Sequence, residues 1–221
     1  QPDQSKGTMI LWVDQEDVYY YITLENENYH HPAMPEGVEE GIKKGLYRFR
    51  KAEETGDHHV NLMSCGSIFR QAMIASDMLK ADFGITSDLW VATSLNELAR
   101  EAQDVVRENR MNPVAEAKVP YVTRTLSEAN GPVIAATDYM KNFVEQIRGF
   151  VPQPLHVLGT DGFGRSDSRA RLRRHFEVDA NHIAATAVYA LFQEGKVEAD
   201  VVRQAYRKYE IDPGKVNART A

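Results

Sequence analysis

Residues 60–93 read VNLMSCGSIFRQAMIASDMLKADFGITSDLWVAT, and the order of patterns within them decides the fold. Val60–Ser64 is a short apolar run of strand size, Gly66-Ser67 reads as a turn and helix cap, and Ile68–Phe83 carries Ile68, Ala72, Ala75 and Leu79 on one helical face. Leu89–Thr93 is a second strand. Ser94 then caps a helix from about Leu95 to Arg107, which stops before Pro113. Strand, helix, strand, helix is the rhythm of a βαβ protein, so the expected fold class is α/β: an open, largely parallel sheet with helices on both faces.

The pattern continues on both sides. Downstream, Pro132–Ala136 and His156–Gly159 read as strands with a helix over Tyr139–Phe150 between them, and after Gly162-Phe163-Gly164 come helices over Ser168–His175, Asn181–Gln193 and Ala199–Tyr209. Upstream, Asp17–Leu24 is rich in Tyr and Ile and reads as a buried strand, whereas Glu25–Gly37 cannot hold regular structure across Pro32 and Pro35. The domain boundary is placed there: residues 1–37 form the end of one domain and a linker, and residues 38–221 an α/β domain. Gln1–Thr8 is polar and reads as a frayed end. The start at Gln1, with neither Met nor a basic-then-apolar leader, suggests a fragment or a processed product.

Composition narrows the function classes. In 221 residues, 43% are hydrophobic and 26% charged, which excludes wholesale disorder, a collagen-like repeat or a coiled coil. The balance of 26 Lys+Arg against 32 Asp+Glu gives a formal net charge of −6, which offers no general attraction to nucleic acid or an anionic membrane. The densest apolar run, Val18–Leu24, is far too short to span a bilayer. A single cysteine allows no internal disulfide and points to a reducing, cytoplasmic compartment.

Cys65 sits between a strand and a helix, where a nucleophile can be activated, but that role needs a base and an orienting partner brought close by the fold; a small, buried or half-buried residue is the simpler reading. His30-His31 and His58-His59 are adjacent pairs, which point to opposite sides of an extended chain, and Asp179-Ala180-Asn181 breaks the helix between His175 and His182, so no metal site is expected. The sharpest local signal is Gly159–Ser168 (GTDGFGRSDS), a strand end that turns through three glycines toward a helix capped by Asp167 or Ser168. Such a loop sits where open α/β sheets bind ligands, yet it matches neither the dinucleotide nor the Walker pattern. Its alternating charges, Asp161, Arg165, Asp167 and Arg169, suit mutual or cross-subunit pairing, and Phe163 between two glycines has little local surface to cover. The loop is therefore expected to be an interface element. The basic run Arg169–His175 (RARLRRH) reads as a solvated or interface helix, since acidic residues follow at once and no aromatic residues interleave it.

Four stretches carry a resemblance: VYYYITLENENYHHPAMPEGVEEGIKKGLY (18–47), SLNELAREAQDVVRENRMNP (94–113), ATDYMKNFVEQIRGFVP (136–152) and VLGTDGFGRSDSRARLRRHFEVD (157–179). They resemble the C-terminal portion of the homodimeric bacterial pyruvate dehydrogenase decarboxylase components, thiamine diphosphate enzymes of the transketolase superfamily. The resemblance implies a longer parent of three domains, with residues 1–37 as the tail end of the pyrimidine-binding domain and linker and 38–221 as a transketolase C-terminal domain-like unit. It implies oxidative decarboxylation of pyruvate and transfer of the acetyl group to the dihydrolipoyl acetyltransferase component, with thiamine diphosphate and Mg²⁺ in the parent and a homodimer partner within a multienzyme complex. The family's diphosphate site uses Gly-Asp-Gly and a later Asn; this chain has Thr160-Asp161-Gly162 without the first Gly and no Asn-Asn downstream, and the glutamate that activates the cofactor is implied to lie upstream of residue 1. The fragment is therefore expected to bind no cofactor or metal and to supply no catalytic residue. Asn26, Asn28, Tyr29 and His30 are the candidates for the active-site approach. The rival reading is an interaction or small-effector-binding regulatory module.

Overall fold

The computed structural model describes Asp17, residues 28–56 and residues 58–221. The strand expected over Asp17–Leu24, Asp17 apart, and Asn26 lie outside the described residues. The chain divides into two units, Gln1–Ala33 and Met34–Ala221, and every regular element described belongs to the second. Asn28, Tyr29 and His30 stand in irregular chain in the first, Tyr29 half-buried and the other two exposed.

The second unit begins with helix α1 (Glu39–Lys44), followed by strands β1 (Leu46–Arg50) and β2 (His59–Ser64), helix α2 (Phe69–Phe83), β3 (Thr86–Ala92), α3 (Leu95–Met111) and α4 (Tyr121–Leu126). Then come β4 (Val133–Ala136), α5 (Asn142–Glu145), β5 (Leu155–Leu158), α6 (Arg169–His175), α7 (Ala180–Gln193) and α8 (Ala199–Lys208). Among the described residues the strands form one sheet in the order β1-β3-β2-β4-β5. β2 pairs in parallel with β3 (Leu62 opposite Leu89) and with β4 (Leu62 opposite Ile134), and β5 continues parallel to β4; β1 alone runs antiparallel, on β3.

The centre of the sheet is buried on both faces, which is why β2 and β4 lack a polar side. Val60, Leu62, Leu89, Ile134 and Ala136 pack under α2, α7 and α8, while Met63, Trp90, Val133, Ala135 and Leu155 pack under α3, α4 and α5. Asn61 is fully buried on β2 yet satisfied, because its amide nitrogen donates to the Asn130 carbonyl (2.7 Å) and its amide oxygen accepts from the Trp90 indole (3.0 Å). Gly131, with φ +75°, lets the turn before β4 run against β2: a Cβ there would lie 2.0 Å from the His59 carbonyl oxygen. At the outer strand, Arg148 donates one guanidinium bond to the Leu155 carbonyl (2.6 Å) and another to Glu145 (2.9 Å).

Three expectations need correction. The helix read over Tyr139–Phe150 is the four-residue α5 and a separate 3₁₀ turn at Arg148–Phe150. Ahead of α5, the Thr137 hydroxyl accepts from Tyr139 N–H (3.1 Å) and holds that residue in the loop, while the Asp161 carboxylate accepts from Lys141 N–H (3.1 Å), satisfying a donor where the helix begins. Ser67 does not cap α2; Gly66–Ile68 form a 3₁₀ turn and the Ser67 hydroxyl donates to Asp138 instead. Third, the short α1, β1 and α4 are present where the sequence pattern shows no element. Ser94 and Ser168 cap as read, accepting from Glu97 N–H and Arg171 N–H, and at the break before α7 Asp179 accepts from His182 N–H.

Candidate functional site

The connection leaving β2 crosses to the α2 face and the one leaving β4 to the α5 face, so the carboxyl ends of these neighbouring strands splay apart. Open α/β sheets bind ligands at such a reversal. A cleft of about 350 Å³ opens there. Ser67 and Ile68 after β2, Asp138 after β4, and Thr160, Gly162, Gly164 and Arg165 after β5 form its walls; Arg169, Leu172, Arg173 and Phe176 close it from α6 and beyond.

Short polar contacts tie the walls together. Ser67 donates to Asp138 (3.1 Å), linking the loops after β2 and β4, and the Arg173 guanidinium reaches the Ser67 hydroxyl (3.5 Å). Thr160 donates through its hydroxyl to the Asp138 carbonyl (2.6 Å) and through its N–H to the Tyr139 carbonyl (2.9 Å), which fastens the loop after β5 to the loop after β4. The other rim of that loop is held by the end of the chain. Gly162 has φ +100° and a Cβ on it would lie 2.6 Å from the Ala218 carbonyl oxygen, while Arg165 donates to the Ala221 carbonyl.

Of the loop residues singled out in the sequence, Asp161, Arg165 and Asp167 have partners outside the expected quartet. Asp161 takes Lys141 N–H, Arg165 the Ala221 carbonyl, and Asp167 both Ser168 N–H (2.7 Å) and the Arg171 guanidinium (3.8 Å). Arg169 lines the cleft. Phe163 stands 83% exposed, and Tyr139 and Met140, on the loop after β4, are also exposed. Cys65 is half-buried with its sulfur 3.1 Å from the Thr137 hydroxyl, and burial pushes its thiol pKa up, the wrong direction for a nucleophile.

Sequence reasoning missed the convergence of Ser67, Asp138 and Arg173. One signal was present: Arg165, Arg169 and Arg173 recur every fourth residue, and the last two share a face of α6. The pairing of Arg173 with Ser67, far apart in sequence, has no local signature.

Comparison with known proteins fixes the family. The transketolase-like TK C-terminal domain model matches residues 45–179. The chain belongs to that family. This chain is 50% identical over 212 residues to the pyruvate dehydrogenase E1 component of Cupriavidus necator, covering 96% of this chain and 24% of that protein. It is 49% identical to the Escherichia coli K12 protein of the same name, over 94% of this chain and 23% of the relative. The chain thus spans about a quarter of the length of these curated relatives. A Pichia stipitis transketolase structure aligns over 71% of this chain and 19% of its own, at 18% identity and a TM-score of 0.49.

The residues of the transketolase-like domain do not fit a metal–diphosphate clamp. Asp161, the carboxylate of Thr160-Asp161-Gly162, accepts the Lys141 N–H, and among the described residues no three His, Cys, Asp or Glu side chains converge on a point. Nor is any described helix long and apolar enough to cross a membrane.

Proposed function

We propose that this chain is the C-terminal part of a cytoplasmic thiamine diphosphate-dependent pyruvate dehydrogenase, the component that decarboxylates pyruvate and passes the acetyl group to dihydrolipoyl acetyltransferase. The observation that carries the reading is the 50% identity over 96% of the chain to a protein of that name. In the parent, thiamine diphosphate with Mg²⁺ supplies the electron sink for decarboxylation. This segment contributes assembly contacts: Phe163 on the Gly-rich loop, with Asp161, Arg165, Asp167 and Arg169 around it, faces the homodimer partner or the other domains. Asn26, Asn28, Tyr29 and His30 border the active-site approach.

Calorimetric titration of thiamine diphosphate into the 221-residue chain with Mg²⁺ present should give no heat of binding and no pyruvate turnover. Micromolar affinity would overturn the assignment of this segment as a non-catalytic one. In the full-length enzyme, Phe163→Ala should weaken dimerisation or cofactor coupling. The Arg-lined cleft favours a second reading, a domain that also takes a small effector.

A further inference from the structure

We infer that Asn130-Gly131 is a self-modifying site: Asn130 loses its side-chain amide through a cyclic imide, and the buried amide of Asn61 promotes the step. The site is the turn leading into β4, and it is independent of the parent enzyme's chemistry.

An asparagine followed by glycine is labile because the next main-chain nitrogen can reach the side-chain carbonyl carbon, and glycine has no Cβ to shield that nitrogen. Asn130-Gly131 is the one Asn-Gly pair in the chain. The Gly131 nitrogen gives its proton to hydroxide and attacks Asn130 Cγ; the new N–C bond forms, the bond from Cγ to the amide nitrogen breaks, and ammonia leaves with a proton from water, which restores the hydroxide. A water molecule then opens the imide at either carbonyl, giving aspartate or its β-linked isomer. Overall an amide and a water become a carboxylate and an ammonium ion, with nothing oxidised or reduced.

The turn is arranged for that path. Asn130 is exposed and Gly131 half-buried, and among the described residues neither the Asn130 side chain nor the Gly131 N–H forms a hydrogen bond, so electrophile and nucleophile are both free. The deciding contact is on the carbonyl of Asn130. Charge gathers on that oxygen when the Gly131 nitrogen loses its proton, and Asn61 Nδ2 donates to it at 2.7 Å. Asn61 is fully buried, its Oδ1 accepts from the Trp90 indole at 3.0 Å, and its Nδ2 also reaches the Gly131 carbonyl at 3.3 Å. A fixed donor aimed from a dry interior at an oxygen that becomes an anion lowers the barrier, and the indole bond polarises that donor further. Asp161-Gly162 offers no such site: its side chain is a carboxylate, a poorer electrophile, and accepts the Lys141 N–H.

The two products differ in what they do to the sheet. The β-linked isomer adds a main-chain methylene beside a glycine whose own Cβ would lie 2.0 Å from the His59 carbonyl oxygen, so it strains the bond from Asn61 N–H to the Pro132 carbonyl (2.9 Å) that starts the β2–β4 ladder.

The test incubates the 221-residue chain folded and in urea, follows the Asn130 peptide by mass spectrometry, and measures hydrogen exchange at the Gly131 amide, which passes through the same anion. Ammonia loss at Asn130 should be at least about threefold faster in the folded chain than in urea and should quicken from about pH 6 to about pH 9, and Gly131 should exchange faster folded than unfolded. Asn130→Gln, whose larger ring closes slowly, should stop the loss and leave exchange at Gly131 unchanged. Asn61→Asp keeps the acceptor for Trp90 and removes the donor, and should slow both processes about tenfold. Should that variant fail to fold, the comparison of folded with urea-unfolded chain decides alone. Ammonia loss no faster in the folded chain, a Gly131 amide protected by folding, or a folded Asn61→Asp chain that reacts at the original rate would each overturn the inference.

Discussion

Two junctions leave the same end of the sheet and join a parallel strand to a helix, yet they are built oppositely. Residues 65–68, between β2 and α2, turn in four residues and drop Ile68, 1% exposed, straight into the core. Residues 159–168, between β5 and α6, take ten, stay on the surface, and rest on the chain's last residues rather than on apolar packing. The difference teaches how one sheet end can be both fixed and open: the short junction anchors the cleft in the core, and the long one shapes its mouth.

The largest expected effect sets Ile68 against Phe163. Ile68→Ala should lose about 2–5 kcal/mol in urea unfolding through the cavity it leaves, whereas Phe163→Ala should change stability by no more than about 0.5 kcal/mol, because the ring covers no neighbour. Equal losses would erase the contrast.

A smaller effect lies within the long junction. Gly162→Ala should cost about 1–3 kcal/mol, since the new methyl meets the Ala218 carbonyl in a left-handed conformation, and should raise protease cleavage at 215–221. Gly164→Ala, with open space around it, should change stability by less than about 0.5 kcal/mol. Matching results for both glycines would mean that the end of the chain does not brace the loop.

The smallest concerns pH on the two parent strands. Burial pushes the pKa of His59 on β2 down, against the pull of Asp88, and burial together with Arg148 does the same to His156 on β5. A depressed folded pKa means that stability is fully present above the unfolded value of about 6.5 and is lost as pH falls below it, by at most about 1.4 kcal/mol per pH unit for each histidine. Unfolding followed from pH 7.5 to 5 should show that decline, and His156→Gln should flatten part of it. A decline unchanged by His156→Gln would show that His156 contributes nothing to it.

The central βαβ architecture was legible because β2, α2, β3 and α3 carry strong periods and Ser94 a clear cap. What escaped depended on distant partners. β1 reads LYRFR, with arginines at sheet positions, and its register is set by Arg48 over Trp90 and beside Asp88. β3 begins three residues before the apolar run because Ser87 and Asp88 are buried with partners: the Ser76 hydroxyl, and Arg48 with Ala52 N–H. The helix expected over Tyr139–Phe150 starts late because Thr137 and, some twenty residues on, Thr160 hold residues 137–139 as loop. The Gly-rich loop was visible as a turn, but the cleft behind it exists only once α6 folds back over Ser67.

Arg148 has a bearing on self-association. β5 ends the described sheet, and a terminal strand invites edge-to-edge pairing with another molecule. Its first carbonyl, at Leu155, is already taken by a guanidinium that Glu145 holds from the other side. An intruding strand would have to strip a charged donor from that carbonyl before adding its first rung. A bond that looks like local bracing thus also guards against fibril-like growth, and it does so without proline, without a bulge and at the cost of one surface ion pair.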